Sequence, residues 1–492
     1  MNFLSNAHIK YFFSLLLAMH SSDTFHYITQ TWKTLERSCH QSISAFDPKL
    51  QSDKKPILYI SSLENSDRIR NSLNHFDVQV LPETFEQIDH HGLLYLPKPY
   101  ITPGGRFNEM YGWDSYFILL GLLEEGDVSM AQNIVDNQLY QVEHYGHVLN
   151  SNRSYHLTRS HPPFLSQMVL MVYGKNIEQL REAYPILKKY YQFWTSHPRH
   201  IPQYHLARYY DNATGPAIEV LSSEINHLGE NHFDRVEDLI AQGKLEVSNT
   251  HFDSELKEMY YLDDRAMRES GFDVSCCFGP YGIETTYQLP VCLNTLIYLM
   301  EKDLKEIAKT LNLRDEKKKW KQLAKHRKKM INHLLWSEER GLYFPYNFHK
   351  KSHYPYPFLT TFYPLWAGIA SREQAAAVVN NLPLFERKGG LTTSTTQTGC
   401  QWDSPYGWAP LQWIAVSGLA RYGYVAEARR ISDKFCGLVE QEFAKHGHMY
   451  EKYDVIECDS DVHLDYGYES NEHGFGWTNA VYLLLKRRFC SE

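Results

Sequence analysis

Residues 177–194 read IEQLREAYPILKKYYQFW. Ile177, Leu180, Ala183, Leu187, Tyr190 and Tyr191 recur every three or four positions. That spacing lines one face of a helix and leaves the charged residues on the other. Pro185 inside the run should kink or divide it, because its ring removes a donor and crowds the preceding turn. The same periodicity returns over 284–311, 314–335, 372–381, 409–421, 424–445 and 476–488. Strand-like alternation is scarce, and Gly341 to Phe348 offers a small hairpin at most. The chain therefore reads as all-α.

Between the helical stretches lie long polar connections rich in glycine and aromatic residues, at 95–115, 145–165, 205–282, 388–410 and 447–476. Long structureless loops in a compact domain usually carry function. Their even recurrence suggests a ring of helix pairs whose loops meet at one end. An open solenoid is the other all-helical option, but it needs repeats of fixed length, and these connections are uneven. No Pro- or Ser-rich linker divides the chain. The expected organisation is an N-terminal helical extension over 1–60 and one catalytic domain over 61–492.

The chain has 492 residues, 43% of them apolar, which is ample for a large core. Its formal net charge is -8 and it has no long basic run, so nucleic acid is not expected as a partner. The 35 Tyr and 10 Trp suit a sugar cleft, since aromatic faces bury area yet tolerate a wet edge, although most will pack in the core. The cysteines at 39, 276, 277, 292, 400, 436, 458 and 490 form no CxxC pair. They give no support to a zinc site or a disulfide framework. Reduced thiols point to the cytoplasm. Tyr11 to Met19 reads YFFSLLLAM, too short to span a bilayer. No membrane association is expected from it. With no small-residue cleavage pattern after it, the run is expected in a first helix packed on the body. A periplasmic or secreted location follows only if residues 1–22 act as a signal peptide.

Four loops concentrate the groups that sugar hydrolysis needs: an acid, a base, and donors and acceptors for hydroxyls. Pro103 to Tyr116 reads PGGRFNEMYGWDSY and offers Arg106, Phe107, Trp113 and Asp114. The plainer reading is a helix start that Asp114 caps. Asn150 to Phe164, NSNRSYHLTRSHPPF, offers Asn152, Arg159 and His161. In Glu269 to Ser275, ESGFDVS, Gly271 permits close approach and Asp273 lies between Phe272 and Val274. A carboxyl among apolar neighbours holds its proton to higher pH, as a general acid must. The last loop joins Gln401 to Pro410, QWDSPYGWAP, with Tyr450 to Asn479, which contains EKYDV and GFGWTN. Trp402 and Trp408 offer stacking walls, and Lys452 could keep Glu451 ionised, although such a pair is usually a solvated surface pair.

PGGRFNEMYGWDSY and QWDSPYGWAP resemble the two signature segments of the trehalases. ESGFD is similar to their SGWD acid motif, and EKYDV followed by GFGWTN resembles their C-terminal block. The matches keep order and spacing from about residue 95 to 485. The resemblance implies an (α/α)6 barrel, a helical toroid with active-site loops at one end. It also implies hydrolysis of α,α-trehalose to two glucose molecules by single displacement with inversion, without a cofactor or metal. Asp273 takes the acid role and Glu451 the base role. Arg106, Trp113 and Asp114, then Asn152, Arg159 and Ser160, match sugar-binding positions; Gly271 matches a backbone contact and Trp402 a pocket wall.

The sequence departs from the family in places. An Arg-Pro-Glu triplet follows the RYWD-like segment of trehalases; here RYYD at 208–211 leads to Pro216, Ala217, Ile218 and Glu219, which keeps the Glu and loses the Arg. His161 stands where the family has Gln, and VSCCFG after the acid loses a second Arg. The glycine-rich run is missing, and Glu469 fits the family's second Glu only with a one-residue slip, with Asp465 the other candidate. Loss of a bidentate clamp should weaken the hold on one glucosyl unit, with His161, Arg153 or Arg268 as substitutes. Trehalose is the leading substrate. The alternatives are another small α-glucoside, such as a glucosylglycerate-like solute, or a non-catalytic sugar-binding protein. A small disaccharide is the expected partner, and oligomeric state stays open.

Overall fold

The computed structural model describes residues 23–50, 55–65, 69–70, 72–225, 229–245 and 254–490. The apolar run at 11–19 lies outside them. Along the chain the helices are 23–35 (α1), Asp114–Glu125 (α2), Val128–Tyr145 (α3), Leu165–Tyr173 (α4) and Ile177–Thr195 (α5). Three follow in the long central connection: Ile218–Ser223 (α6), His232–Ala241 (α7) and Ser254–Glu269 (α8). Then come Val291–Thr310 (α9), Arg314–Leu334 (α10), Tyr363–Trp366 (α11) and Arg372–Asn380 (α12). Ala409–Arg421 (α13), Val425–His446 (α14) and Gly476–Arg488 (α15) complete the set.

Six of these pack side by side into a closed ring, in the order α2, α4, α9, α11, α13, α15 and back to α2. Their sequences explain the place. α13 reads APLQWIAVSGLAR and α15 reads GWTNAVYLLLKRR, apolar nearly all round, and α15 is buried from Gly476 to Leu485. A helix without a polar face needs cover on all sides. Where α2 meets α15 the backbones come close: a Cβ on Gly121 would lie 2.7 Å from the Ala480 Cβ.

The outer helices keep a single apolar stripe. α10 buries Trp320, Ala324, Arg327 and Ile331 and leaves its lysines outside. α3, α5, α10 and α14 each pack behind an inner neighbour. α1 closes the outer layer: the Thr24 and Tyr482 hydroxyls are 3.0 Å apart, and the Trp32 indole N–H donates to Glu125. This is an (α/α)6 barrel. No helix among the described residues is long and apolar enough to cross a membrane.

Several expectations need correction. Pro185 lies inside α5 without dividing it. The helix expected from 284 begins at Val291, behind Pro290, and Gln288–Leu289 pairs as a strand with Tyr346–Asn347. Proline holds the residue before it extended, which moves the helix start. The stretch around 341–348 enters two ladders, Leu342–Tyr343 with Trp336–Ser337 and Tyr346–Asn347 with Ser352–His353. The sequence reading had no counterpart for the parallel sheet of Asp77–Val80, Ile57–Ile60 and Leu93–Leu94, in that order. Residue 60 ends the middle strand of that sheet, whose two partners lie beyond it. Among the described residues of the first 60, α1 packs in the outer layer and Ile57–Ile60 pairs with strands of the segment that follows.

Candidate active site

The loops that precede the inner helices converge on one cavity. It opens where those helices begin. Asp114 is the first residue of α2, and Trp408 and Phe475 stand immediately before α13 and α15. Asp114 does not cap its helix through its side chain; it lines the cavity.

Asp273 is held by a short loop with little freedom. Gly271 has φ +76°, and a Cβ there would lie 2.9 Å from the Trp113 indole. Only glycine meets both conditions. Phe272 is fully buried against Trp113, Trp402 and Phe358. The Trp402 amide donates to the Val274 carbonyl at 3.0 Å, and the Gln401 side-chain amide donates to the Asp273 carbonyl. The Asp273 carboxyl, 31% exposed, opens into the cavity. Removal from bulk water pushes its pKa up to about 7 against the pull of Arg268, and Glu224 adds to the rise. The Arg268 guanidinium lies 3.5 Å from this carboxyl but is committed to Glu224 at 2.7 Å and Asp264 at 2.8 Å.

Glu451 lines the same cavity. Its loop is fixed by Lys452–Asp454, which pairs antiparallel with Tyr406–Trp408. Its carbonyl accepts from the Trp477 indole at 3.1 Å. The Lys452 ammonium sits 2.9 Å from Oε2 and the Tyr468 hydroxyl donates to Oε1. Glu451 is 2% exposed and Lys452 0%, so the pair is buried, not the solvated surface pair that Glu-Lys usually makes. Burial pushes the Glu451 carboxyl up; Lys452 and then Tyr468 oppose that rise.

The remaining lining groups offer donors and acceptors. Arg159 donates to Asp211 at 3.2 Å and Glu219 at 2.7 Å. Glu219 Oε2 accepts no hydrogen bond from the described residues, which leaves it for a ligand hydroxyl. His161 Nδ1 accepts from the Trp113 amide at 3.3 Å, and burial holds the ring neutral, so Nε2 carries the proton. Burial also pushes Asp114 well above the usual carboxylate range, and the Glu451 and Asp273 charges add to this. Trp402 and Trp408 stack at 3.8 Å as one wall.

Of the expected sugar-binding residues, Arg106, Phe107, Trp113, Asp114, Arg159, His161, Glu219, Gly271 and Trp402 line the cavity. Asn152 lies beneath it, accepting from the Met110 amide at 2.8 Å; Asn150 takes the lining place. Ser160 is turned away, donating to the Val148 carbonyl at 2.6 Å. Glu469 is exposed and borders an outer depression with Arg235 and Asp465. The carboxylate that approaches the site from this loop is Glu472, which accepts from the Arg106 amide at 2.9 Å. Ala217 is 0% exposed, inside an apolar cluster with Val220 and Phe233, and leaves no gap in the cavity wall. Arg153 is buried against Glu109 at 2.9 Å and does not line the cavity, whereas Arg268 and His161 do.

Lys49, Tyr111, His156, Glu224, Gln401, Tyr468, Phe475 and Trp477 also line the cavity and were not singled out from sequence. Gln401 and Trp477 stood inside quoted motifs; Lys49 and Glu224 carried no local signal. Among the described residues, Cys276, Cys400 and Asp403 lie close enough together to hold a metal. The Asp403 oxygens, however, already accept from the Cys276 amide at 3.0 Å, Thr398 at 2.7 Å and Tyr356 at 2.8 Å. That group braces the Asp273 loop against the Gln401–Trp402 wall.

A family model described as Trehalase matches residues 18–489. The cytosolic neutral trehalase of Kluyveromyces lactis is 32% identical over 92% of this chain and 69% of its own length. That of Saccharomyces cerevisiae is 35% identical over 78% of this chain and 56% of its own length. The solved structure of neutral trehalase Nth1 from Saccharomyces cerevisiae superposes with a TM-score of 0.79 at 30% identity, covering 95% of this chain and 94% of that one. The chain spans from just over half to about two thirds of the length of the curated relatives it matches. With the barrel, the shared cavity and the two carboxyls already in place, these matches establish that the chain belongs to the trehalase family.

Proposed function

We propose that this chain hydrolyses α,α-trehalose to two glucose molecules by a single displacement that inverts one anomeric centre. The observation that carries this reading is that Asp273 and Glu451 line one cavity in opposed settings. Asp273 holds its proton up to about 7 through burial. Glu451 has an ammonium on one oxygen and a phenol on the other. Environments that treat two carboxyls differently assign acid and base. Asp273 gives its proton to the bridging oxygen as the C1–O bond breaks. Glu451 takes a proton from the water that attacks C1 from the other face. Room for that water requires about 6.5–9.5 Å between the carboxyl groups.

The test is the anomeric composition of freshly released sugar, read by NMR, with other α-glucosides assayed alongside. Equal α- and β-glucose from trehalose is expected. Release of α-glucose alone, or a clear preference for another glucoside, would overturn the reading. The eight unpaired thiols, seven of them buried, and the cytosolic names of the relatives support a cytosolic setting for this reaction.

The proton on Asp273 also predicts a pH dependence. The acid must be protonated, and its fraction falls as pH rises through about 7. kcat/KM for trehalose should therefore decline tenfold per unit on the alkaline side of that value. A profile flat from pH 6 to 9 would remove Asp273 as the acid.

Arg268 supports trehalose in spite of the lost arginine of the triplet. Ala217→Arg is expected to lower the melting temperature, since overpacking a core costs about 1–3 kcal/mol, and to leave kcat/KM no higher. A stable variant with tenfold higher kcat/KM would show an open subsite at that position.

A further inference from the structure

Tyr468 belongs to the loop between the Lys452–Asp454 strand and α15, and nothing in its sequence surroundings singled it out. Two cations lie over its ring. The Arg106 guanidinium lies 4.8 Å and the Lys452 ammonium 4.4 Å from the ring centroid. The Phe107 ring meets it edge-on at 5.7 Å. Tyr468 is 8% exposed and lines the cavity that holds Asp273. Two cations and an aromatic edge thus fix the phenol so that its hydroxyl donates to Glu451 Oε1.

The charged and titratable groups that bear on Glu451 are Lys452 and Tyr468 in direct contact, Glu472 and Arg106 behind them, and Asp114 and Asp273 around the cavity. Glu472, Asp114 and Asp273 are carboxyls, and burial acts in the same direction, toward a protonated Glu451. Lys452 and Tyr468 are the groups that hydrogen-bond the carboxylate itself. Each occupies one oxygen, and each oxygen keeps a further lone pair for a water.

We infer that Tyr468 is a positioning residue for the reaction: its hydroxyl fixes the Glu451 carboxylate and keeps it ionised, ready to accept a proton from the attacking water. This rests on the assignment of Glu451 as the base. A hydrogen bond to the charged form favours that form, so its removal moves the pKa upward. A carboxylate with one donor removed also aims less well at the water.

Tyr468→Phe keeps the ring and its two cations and deletes only the donor. The acidic limb of the kcat/KM profile should move up by about one unit, and kcat at the pH optimum should fall about tenfold. KM and the alkaline limb should stay near the parent. A second variant, with 3-fluorotyrosine at 468, strengthens the donor and should move the acidic limb down. A role in packing alone would move neither limb, and unshifted acidic limbs in both proteins overturn the inference. If Glu451→Gln is inactive while Tyr468→Phe matches the parent, the base stands and Tyr468 falls. If Glu451→Gln is active, both fall together.

Discussion

Asp273→Asn is expected to lower kcat/KM for trehalose by roughly 10²–10⁴-fold, the usual worth of a general acid. The amide matches the carboxyl in shape. The bonds that hold the loop run to the backbone, at the Asp273 and Val274 carbonyls, and survive the change. What disappears is the proton for the bridging oxygen. The variant should therefore keep its melting temperature and its substrate affinity. It should also keep most of its activity on α-glucosyl fluoride, whose leaving group needs little protonation. Parallel measurements on trehalose and the fluoride check this. Equal losses on both substrates would mean that Asp273 does something other than protonate the leaving group.

Glu451→Gln is expected to have an effect of similar size but a different pattern. Water must be activated whichever group leaves, so trehalose and the fluoride should both lose about 10²–10⁴-fold. Stability should also fall, unlike with Asp273→Asn. Lys452 is fully buried and Glu451 is its ion-pair partner at 2.9 Å. Removal of one member of a buried pair costs roughly 3–5 kcal/mol. Lys452 can relieve part of that by losing its proton, since burial already pushes its pKa down. The loss in melting temperature should therefore grow as pH falls, when a neutral lysine becomes harder to hold. Thermal melts of parent and variant at pH 6 and pH 9 check this. An equal loss at both pH values would indicate that the pair is not buried and charged in solution, and would remove the physical reason for an ionised Glu451.

The barrel was legible because its signal is local and repeated. Amphipathic outer helices such as α10, and largely apolar inner ones such as α15, announce themselves over three or more turns. The sheet of Ile57–Ile60, Asp77–Val80 and Leu93–Leu94 was not legible, because runs of two to four residues show no period and their pairing is non-local. Pro185 and Pro290 mark the limit of reading single residues. One sits inside a helix that packing holds together, and the other moves a helix start by seven residues from the expected 284 to 291.

At the site, the kinds of group available and the motifs that carry them were legible in the residues themselves. Asp273 among apolar neighbours, Glu451 beside a lysine and the tryptophans of the two signature segments were all readable, because each relation is between residues close in the chain. Only the tertiary structure decided which polar residues face the cavity. Asn150 lines it and Asn152 does not, although only Ser151 separates them; the loop's turns settle the direction of each side chain. Lys49, Glu224 and Tyr468 come from three distant segments, and nothing in their own neighbourhoods predicts that they meet. Arg268 brings a guanidinium to the cavity wall while Ala217 lies in an apolar cluster, and that placement is set by the fold across about fifty residues of chain. Residue chemistry is a local property that sequence records, whereas direction and proximity arise from long-range packing.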